Sequence, residues 1–409
     1  MSVAPDHEQQ LARDNSPALV ADPELVKACV HCGFCLPSCP TYGPLWQEEM
    51  DSPRGRIYLM ANLIQGRTQL DDASVVEHFD RCLGCTACVT ACPSGVQYGR
   101  LIEQTRGYVE THHRRRPSER VLRAGIFAVF PHRRRLRVAL ALRRLPAPGP
   151  FAPLKQMAPP WTEPDWPPEH LAGDGPSVAV VAGCVQSVVF GDVNAATARV
   201  LQAEGFDVHV PRSQGCCGAL HSHAGRLDEG VARARALGQE LRSYDYIVTN
   251  AAGCGSHLKD HGIANVVDVS ELLAEPRATR HPLPLRVAFQ DSCHLKHAQG
   301  ITAQPRALLD AIPELTRPEP AEQEICCGSG GIYNIVNPET AAELGDRKAG
   351  HILATAPDAY ASANPGCLVQ VTAALRRAGR PIPAFHPIEL VDASIRGLSA
   401  EQVLAEARR

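Results

Sequence analysis

The sequence predicts a multidomain chain: an α-helical, cysteine-rich N-terminal domain followed by a duplicated α/β domain with mostly parallel sheets. Three observations predict it. All sixteen cysteines fall into two sets of eight, within residues 29–92 and 184–367. The stretch between the sets is first rich in arginine and then in proline. The second set is an internal repeat. VAGC ending at Cys184, GCCG ending at Gly218 and NAAGC ending at Cys254 are answered by QDSC ending at Cys293, ICCG ending at Gly328 and ANPGC ending at Cys367. The first cysteine stands 32 positions before the doublet in copy one and 33 in copy two, and the last follows it by 37 and 40. Agreement at several landmarks marks a duplicated unit.

The elements follow in order. Asp22-Pro23-Glu24 reads as a helix start, with Asp as N-cap and Pro in the first turn. Ser52-Pro53 repeats that signal before RGRIYLMANLIQG, which stops at Gly66. SVVEHFDR predicts a short helix running into Cys82. Residues 1–111 therefore form the helical domain. Residues 112–145 hold eleven arginines and one acid, about +10 of charge. They read as basic amphipathic helices broken at Pro131, with Leu136 and Leu140 on one face and Val138, Leu142 and Leu145 on another. Such helices suit an anionic membrane surface, a partner's groove, or packing on the chain's own domains. Residues 146–176 carry ten prolines and read as a semi-rigid linker. In the first repeat, 177–280, SVAVVAG, FDVHVP and YDYIVTN read as strands and NAATARVLQAEG and RLDEGVARARALGQELRS as helices. LRVAFQD restarts the pattern in the second, 281–409, where FHPIELV answers VDVSELL.

Composition excludes several classes. The net charge of −3 implies no nucleic-acid partner. The polar N-terminus MSVAPDHEQQ predicts no secretory signal, and no apolar run approaches a membrane span. The expected location is cytoplasmic, peripheral on the inner face of the cell membrane. Sixteen cysteines in such a chain point to metal, cluster or redox chemistry rather than disulfides.

The eight N-terminal cysteines specify that chemistry most sharply. CVHCGFCLPSCP at 29–40 and CLGCTACVTACP at 82–93 both have the form C-x₂-C-x₂-C-x₃-C-P. Soft thiolates suit zinc, Cu(I) and iron–sulfur clusters, and two full copies of this spacing select two [4Fe-4S] clusters. Three cysteines of one run hold one cluster, and the fourth, before proline, holds the other. Cluster one is thus expected on Cys29, Cys32, Cys35 and Cys92, and cluster two on Cys82, Cys85, Cys88 and Cys39. Gly33, Gly84 and Thr86 are small residues between ligands, which either let backbone N–H groups approach the sulfurs or are simply loop residues.

The 42 residues between Cys39 and Cys82 make this domain resemble the α-helical ferredoxin module of respiratory dehydrogenase subunits. The repeats resemble the CCG domain of heterodisulfide reductase subunits, where each copy ends in CxxC and supplies five cysteines to an unusual cluster. Here the fifth thiols are absent: His257 and Gln370 stand in their places. Cys184, Cys216, Cys217, Cys254, Cys293, Cys326, Cys327 and Cys367 follow strands, where parallel sheets gather ligands. They leave three readings open: one or two extra clusters or metal sites, a structural or quinone- or partner-binding remnant, and thiol redox. His221, His223 and His257 are candidate ligands by residue type but read first as ordinary surface or loop histidines. Gly328-Ser-Gly-Gly331 lacks the dinucleotide fingerprint, so no flavin or nicotinamide site is expected on this chain, and no catalytic residue.

With SPRGRIYLM at 52–60 and RCLGCTACVTACPSGV at 81–96, the whole chain resembles the glycolate oxidase (glycolate dehydrogenase) iron–sulfur subunit family. The resemblance implies FAD-containing dehydrogenase subunits as partners, glycolate or D-lactate as substrate on those partners, and a membrane quinone as acceptor. The alternatives are the iron–sulfur subunit of anaerobic glycerol-3-phosphate dehydrogenase and a heterodisulfide-reductase-like enzyme working through the repeat cysteines.

Overall fold

The structure is a computed structural model that describes residues 20–72, 74–142, 164 and 166–407. The N-terminal domain is helical, as predicted. Asp22 caps α1 (Pro23–Lys27), its carboxylate accepting from the Glu24 N–H at 2.9 Å. A π-turn (Thr41–Trp46) and a 3₁₀ turn (Glu49–Asp51) lead to α2 (Pro53–Ile64). Ser52 caps α2 by accepting from the Gly55 N–H at 3.0 Å. Then come α3 (Val75–Arg81), α4 (Ala87–Thr90) and the long α5 (Tyr98–His112). Met60, Phe79, Leu101 and Ile102 are fully buried among them.

The basic segment forms α6 (Pro117–Val129) and α7 (Arg133–Ala141), broken at Pro131 as predicted. Leu136 and Leu140 are buried against Val188 of the first repeat, whereas Val121, Val138 and Leu142 are exposed. Leu145 and most of the proline-rich stretch lie outside the described residues.

The first sheet begins inside that stretch. β1 (His170–Leu171) pairs antiparallel with β3 (Asp207–His209). Sequence reading passed over β1 because prolines flank it. Asp207 fastens this edge by accepting from His170 at 2.8 Å and His209 at 2.9 Å. The remaining elements of the first repeat are β2 (Ser177–Val180), α8 (Gln186–Val189), α9 (Gly191–Ala203), α10 (Ala219–His223), α11 (Leu227–Leu241), β4 (Tyr246–Thr249), α12 (Ala252–Asp260), β5 (Val266–Asp268) and α13 (Val269–Leu272). The strand order is β1-β3-β2-β4-β5, parallel apart from β1.

The second repeat has β6 (Val287–Gln290), α14 (Ala303–Asp310), α15 (Tyr333–Val336), α16 (Pro338–Ala354), β7 (Ala359–Ser362), α17 (Pro365–Arg377), β8 (Ala384–Phe385), α18 (Pro387–Ile395) and α19 (Ala400–Glu406). Its sheet, β6-β7-β8, is parallel. Where copy one has β3, copy two has a single parallel bridge from Thr316 to Arg286. β5 and β8 end alike, in capping boxes at Asp268 and His386 that start α13 and α18. One apolar core runs through both sheets, from Val178 and Val248 to Phe289 and Tyr360. Arg199 of α9 grips Asp392 of α18 with two hydrogen bonds, at 3.0 and 2.6 Å, across the repeats. Among the described residues no helix is long and apolar enough to cross a membrane.

Candidate metal centres and the cysteine cavity

None of the sixteen cysteines forms a disulfide. The structure gathers them into three places. Cys29, Cys32, Cys35 and Cys92 line one hollow, with Cys88 at its inner wall. This hollow lies at the surface. Cys32 is exposed, and Val30 and Phe34, between the cysteines, are 68% and 67% exposed. Gly33, at φ +90°, turns this loop in a conformation that a side chain would strain. Burial pushes the Cys35 thiol up to about 11, which marks it as a group that ionises on binding a metal rather than before.

Cys39, Cys82, Cys85 and Cys88 lie deeper, and all four are buried. Hydrogen bonds reach the Cys82 sulfur from the Gly84 N–H at 3.3 Å and the Tyr98 hydroxyl at 3.7 Å. Thr41 Oγ1 lies 3.3 Å from the Cys39 sulfur. Soft donors, left-handed loop residues and N–H groups on sulfur together fit iron–sulfur ligation.

A buried charge network supports this second set, and sequence reading missed it. Arg56 is 1% exposed. Its guanidinium donates to the His78 carbonyl at 2.6 Å, Thr41 Oγ1 at 3.1 Å and Asp51 Oδ1 at 3.3 Å. Asp51 also takes contacts from His78 and Arg81, each at 2.9 Å. Burial alone would lower the Arg56 pKa, but Cys82, Tyr98, Cys39 and Asp51 outweigh it and hold the side chain charged. Each residue of SPRGR has its own place in this arrangement. Ser52 caps and Pro53 starts the helix. Arg54 donates to the His31 carbonyl in the first cysteine loop at 3.1 Å. A Cβ on Gly55 would lie 1.9 Å from the Glu49 carbonyl oxygen, so only glycine fits. Arg56 carries the buried charge.

The third place is a cavity of about 700 Å³ between the two repeats. All eight repeat cysteines line it. They form two quartets. In copy one the Cys216 sulfur lies 3.3 Å from Cys184, and Cys217 lies 3.0 Å from Cys254. In copy two Cys326 meets Cys293 and Cys327, and Cys327 meets Cys367. The same electrostatics recurs. Hydrogen bonds from Cys184 and Cys217 hold Cys216 well below the usual thiol range, and those from Cys293, Cys327 and Cys85 do so for Cys326. The second thiol of each doublet is raised by its neighbours. Gly218 and Gly328, both at φ +92°, end the doublets. Converging thiols of this kind are donors for a soft metal or cluster.

Cys85 also touches Cys326, so the second ferredoxin-type set and the second repeat meet thiol to thiol. The glycine-rich loop after Cys327 makes the approach possible: a Cβ on Gly330 would lie 2.2 Å from the Leu83 carbonyl oxygen.

The histidines read as surface or loop residues are instead enclosed. His221 and His257 are each 1% exposed, because α10 and α12 turn them toward α6 and α11. His223 donates from Nδ1 to Glu103 of α5 at 2.7 Å, and its ring lies 4.8 Å from that of His294. Burial pushes the Glu103 carboxyl up, but this bond and the nearby His223, His257 and His261 charges win and hold it at about 2. Gln370, at the other fifth-thiol position, donates to the Ala341 carbonyl at 2.6 Å and accepts from Asn334 at 3.3 Å. Both positions are thus tied to protein groups.

Comparison with known proteins agrees with these divisions. The family model of the 4Fe-4S dicluster domain matches residues 25–96, and that of the cysteine-rich domain matches 178–259 and 287–372. The chain is 34% identical over 411 residues to the probable glycolate oxidase iron–sulfur subunit of Bacillus subtilis, covering 89% of this chain and 92% of that one. It is 34% identical over 415 residues to the glycolate oxidase iron–sulfur subunit of Escherichia coli, covering 94% and 97%. It is 25% identical over 234 residues to a lactate utilization protein of Oceanobacillus iheyensis, covering 53% and 96%.

Proposed function

The chain belongs to the family of glycolate oxidase iron–sulfur subunits, and on that premise we propose that it carries electrons from an FAD-containing 2-hydroxyacid dehydrogenase partner to a membrane quinone. Glycolate, or D-lactate, is oxidised to the 2-oxo acid on the partner, not here. One observation carries this reading: the thiols form a continuous series from the surface hollow, through the buried Cys39–Cys88 set, to the repeat cavity, joined by the Cys85–Cys326 contact.

Cys29, Cys32, Cys35 and Cys92 hold the outer [4Fe-4S] cluster and Cys82, Cys85, Cys88 and Cys39 the inner one. The quartets at Cys184, Cys216, Cys217, Cys254 and at Cys293, Cys326, Cys327, Cys367 hold further clusters. Such groups supply one-electron transfer, the complement of a flavin that accepts hydride. The chain's own residues supply the rest. Arg56 offsets negative charge beside Cys39 and Cys82. Gly84 N–H and Tyr98 OH stabilise the Cys82 sulfur. The exposed Val30 and Phe34 give the flavoprotein an apolar place to dock next to the outer set. Location on the inner face of the membrane belongs to the same proposal.

Iron analysis of anaerobically purified chain tests it. The ferredoxin-type domain alone should account for about eight irons, two four-iron clusters. Iron above that level, lost on replacing Cys217 and Cys327, supports the repeat quartets as ligands. Fewer than eight contradicts the assignment of the first eight cysteines.

A further inference from the structure

The repeat cavity is larger and more apolar on one side than a cage for metal ligands requires. Its roof is formed by α6 and α7 through Ile126, Val129, Phe130, Leu136 and Leu140. Its floor is the eight thiols. A volume of about 700 Å³ falls in the range of sites for organic ligands. Two side chains in its wall bring buried polar atoms that have no protein partner: His223 Nε2 and Gln186 Oε1. Leu142 both lines the cavity and is 54% exposed, so the cavity opens to the surface beside it. Val138, 58% exposed, continues the apolar strip outward, on a helix that begins Arg133-Arg134-Arg135.

These features describe the ligand. It is mostly apolar, carries one or two oxygens, reacts next to the redox centres proposed for the thiol quartets, and extends toward an apolar exit on a basic helix. We propose that the cavity between the repeats is the site of quinone reduction, with the ring against His223 and Gln186 and the isoprenoid chain leaving beside Leu142. The proposal rests on the relay reading above and places its terminal step. Quinone takes up two electrons and two protons to become quinol. The electrons come from the 2-hydroxy acid oxidised on the flavoprotein partner, and the protons from water. His223 sits where those protons must cross. Its Nδ1–H is fixed by the Glu103 carboxylate at 2.7 Å, so Nε2 donates a proton to the quinone oxygen as the imidazolium and, like Gln186 Oε1, accepts from the quinol hydroxyl when neutral.

The test uses the complete complex with its flavoprotein subunits. An azido-quinone with a decyl side chain should label peptides spanning residues 126–142 or 184–189 under light, and unmodified quinone should compete. Val129→Trp, which fills the half-buried roof, should lower both the labelling and the ratio of quinone to ferricyanide turnover about tenfold or more, the scale of a lost pocket contact. His223→Gln should lower the quinone turnover ratio while keeping the label, since glutamine fills the site without accepting and releasing a proton. Labelling confined to other peptides, or an unchanged turnover ratio in both variants, overturns the proposal. A wild-type complex that reduces ferricyanide but never quinone contradicts the relay reading instead, so the two failures are distinct.

Discussion

The two repeats have kept the same thiol quartet and acquired different neighbours. Each quartet has a depressed first doublet cysteine, a raised second one and a left-handed glycine after it. Three residues past each doublet the copies part. Copy two has Gly330, and the Leu83 backbone of the N-terminal domain presses on it. Copy one has Leu220, which packs under α6 with Leu122, Ile126 and Phe127. At this position copy two makes room for the ferredoxin-type domain and copy one packs under α6, although elsewhere both repeats touch both: His223 of copy one bonds Glu103 of α5, and Ile332 and Ile335 of copy two share the apolar cluster under α6. The shared geometry supplies the chemistry. The small-to-large difference lets the second quartet meet the ferredoxin-type set thiol to thiol.

The largest effect is expected where both repeats depend on a rigid N-terminal domain. Arg56→Leu strips the buried Asp51 carboxylate, the His78 carbonyl and Thr41 Oγ1 of the guanidinium they share, leaving Asp51 to Arg81 and His78, and should cost about 3–5 kcal/mol, read as a large drop in melting temperature. Undiminished stability would mean that the buried network does not hold the domain on which repeat two docks. Next, Gly330→Val forces the Leu83 carbonyl away. It should cost about 1–3 kcal/mol from overpacking. Quinone-linked turnover should fall on the order of a hundredfold through misplacement of the Cys85–Cys326 contact. Turnover close to wild type would remove the distinction between the repeats.

A pH dependence separates the repeats as well. Copy one has His257 where copy two has Gln370, and burial, with the His261 and His223 charges, holds His257 at about 4 instead of 6.5. The unfolded chain binds this proton below 6.5 and the folded chain only below about 4. Stability therefore falls as pH drops from 6.5 toward 4 and is fully present above 6.5. The loss should reach about 2 kcal/mol at pH 5. His257→Gln, which makes copy one match copy two, should flatten that part of the denaturation curve; an unchanged slope would assign it to other groups. The smallest effect concerns the cover. Leu220 is half-buried, so Leu220→Ala should cost about 1 kcal/mol, below the range of fully buried leucines, in thermal unfolding.

What the sequence displayed and what it concealed divide along a physical line. Periodic patterns and fixed spacings are local, so the α/β repeat, the helix starts at Pro23 and Pro53, and the family of the chain were legible. Contacts between distant segments leave no such mark. Nothing near Cys85 announces Cys326, 241 positions on. Arg56 looked like one basic residue of a helix start, and its burial depends on Asp51 and His78 arriving from elsewhere. The histidines of α10 and α12 looked like loop residues because polar side chains are usually exposed, and only the packing of three elements encloses them. β1 was hidden by its prolines. The amphipathic stripe at Leu136 and Leu140 was visible, but not that its partner is the wall of the cysteine cavity.

The most direct test of the relay replaces one inner thiol in the assembled complex. With Cys88→Ala, the 2-hydroxy acid should still reduce the partner's flavin at the wild-type rate, while quinone reduction is abolished and one cluster's iron is lost. Quinone reduction persisting at the wild-type rate, or oxidation of the hydroxy acid by this chain without its partner, would contradict the account.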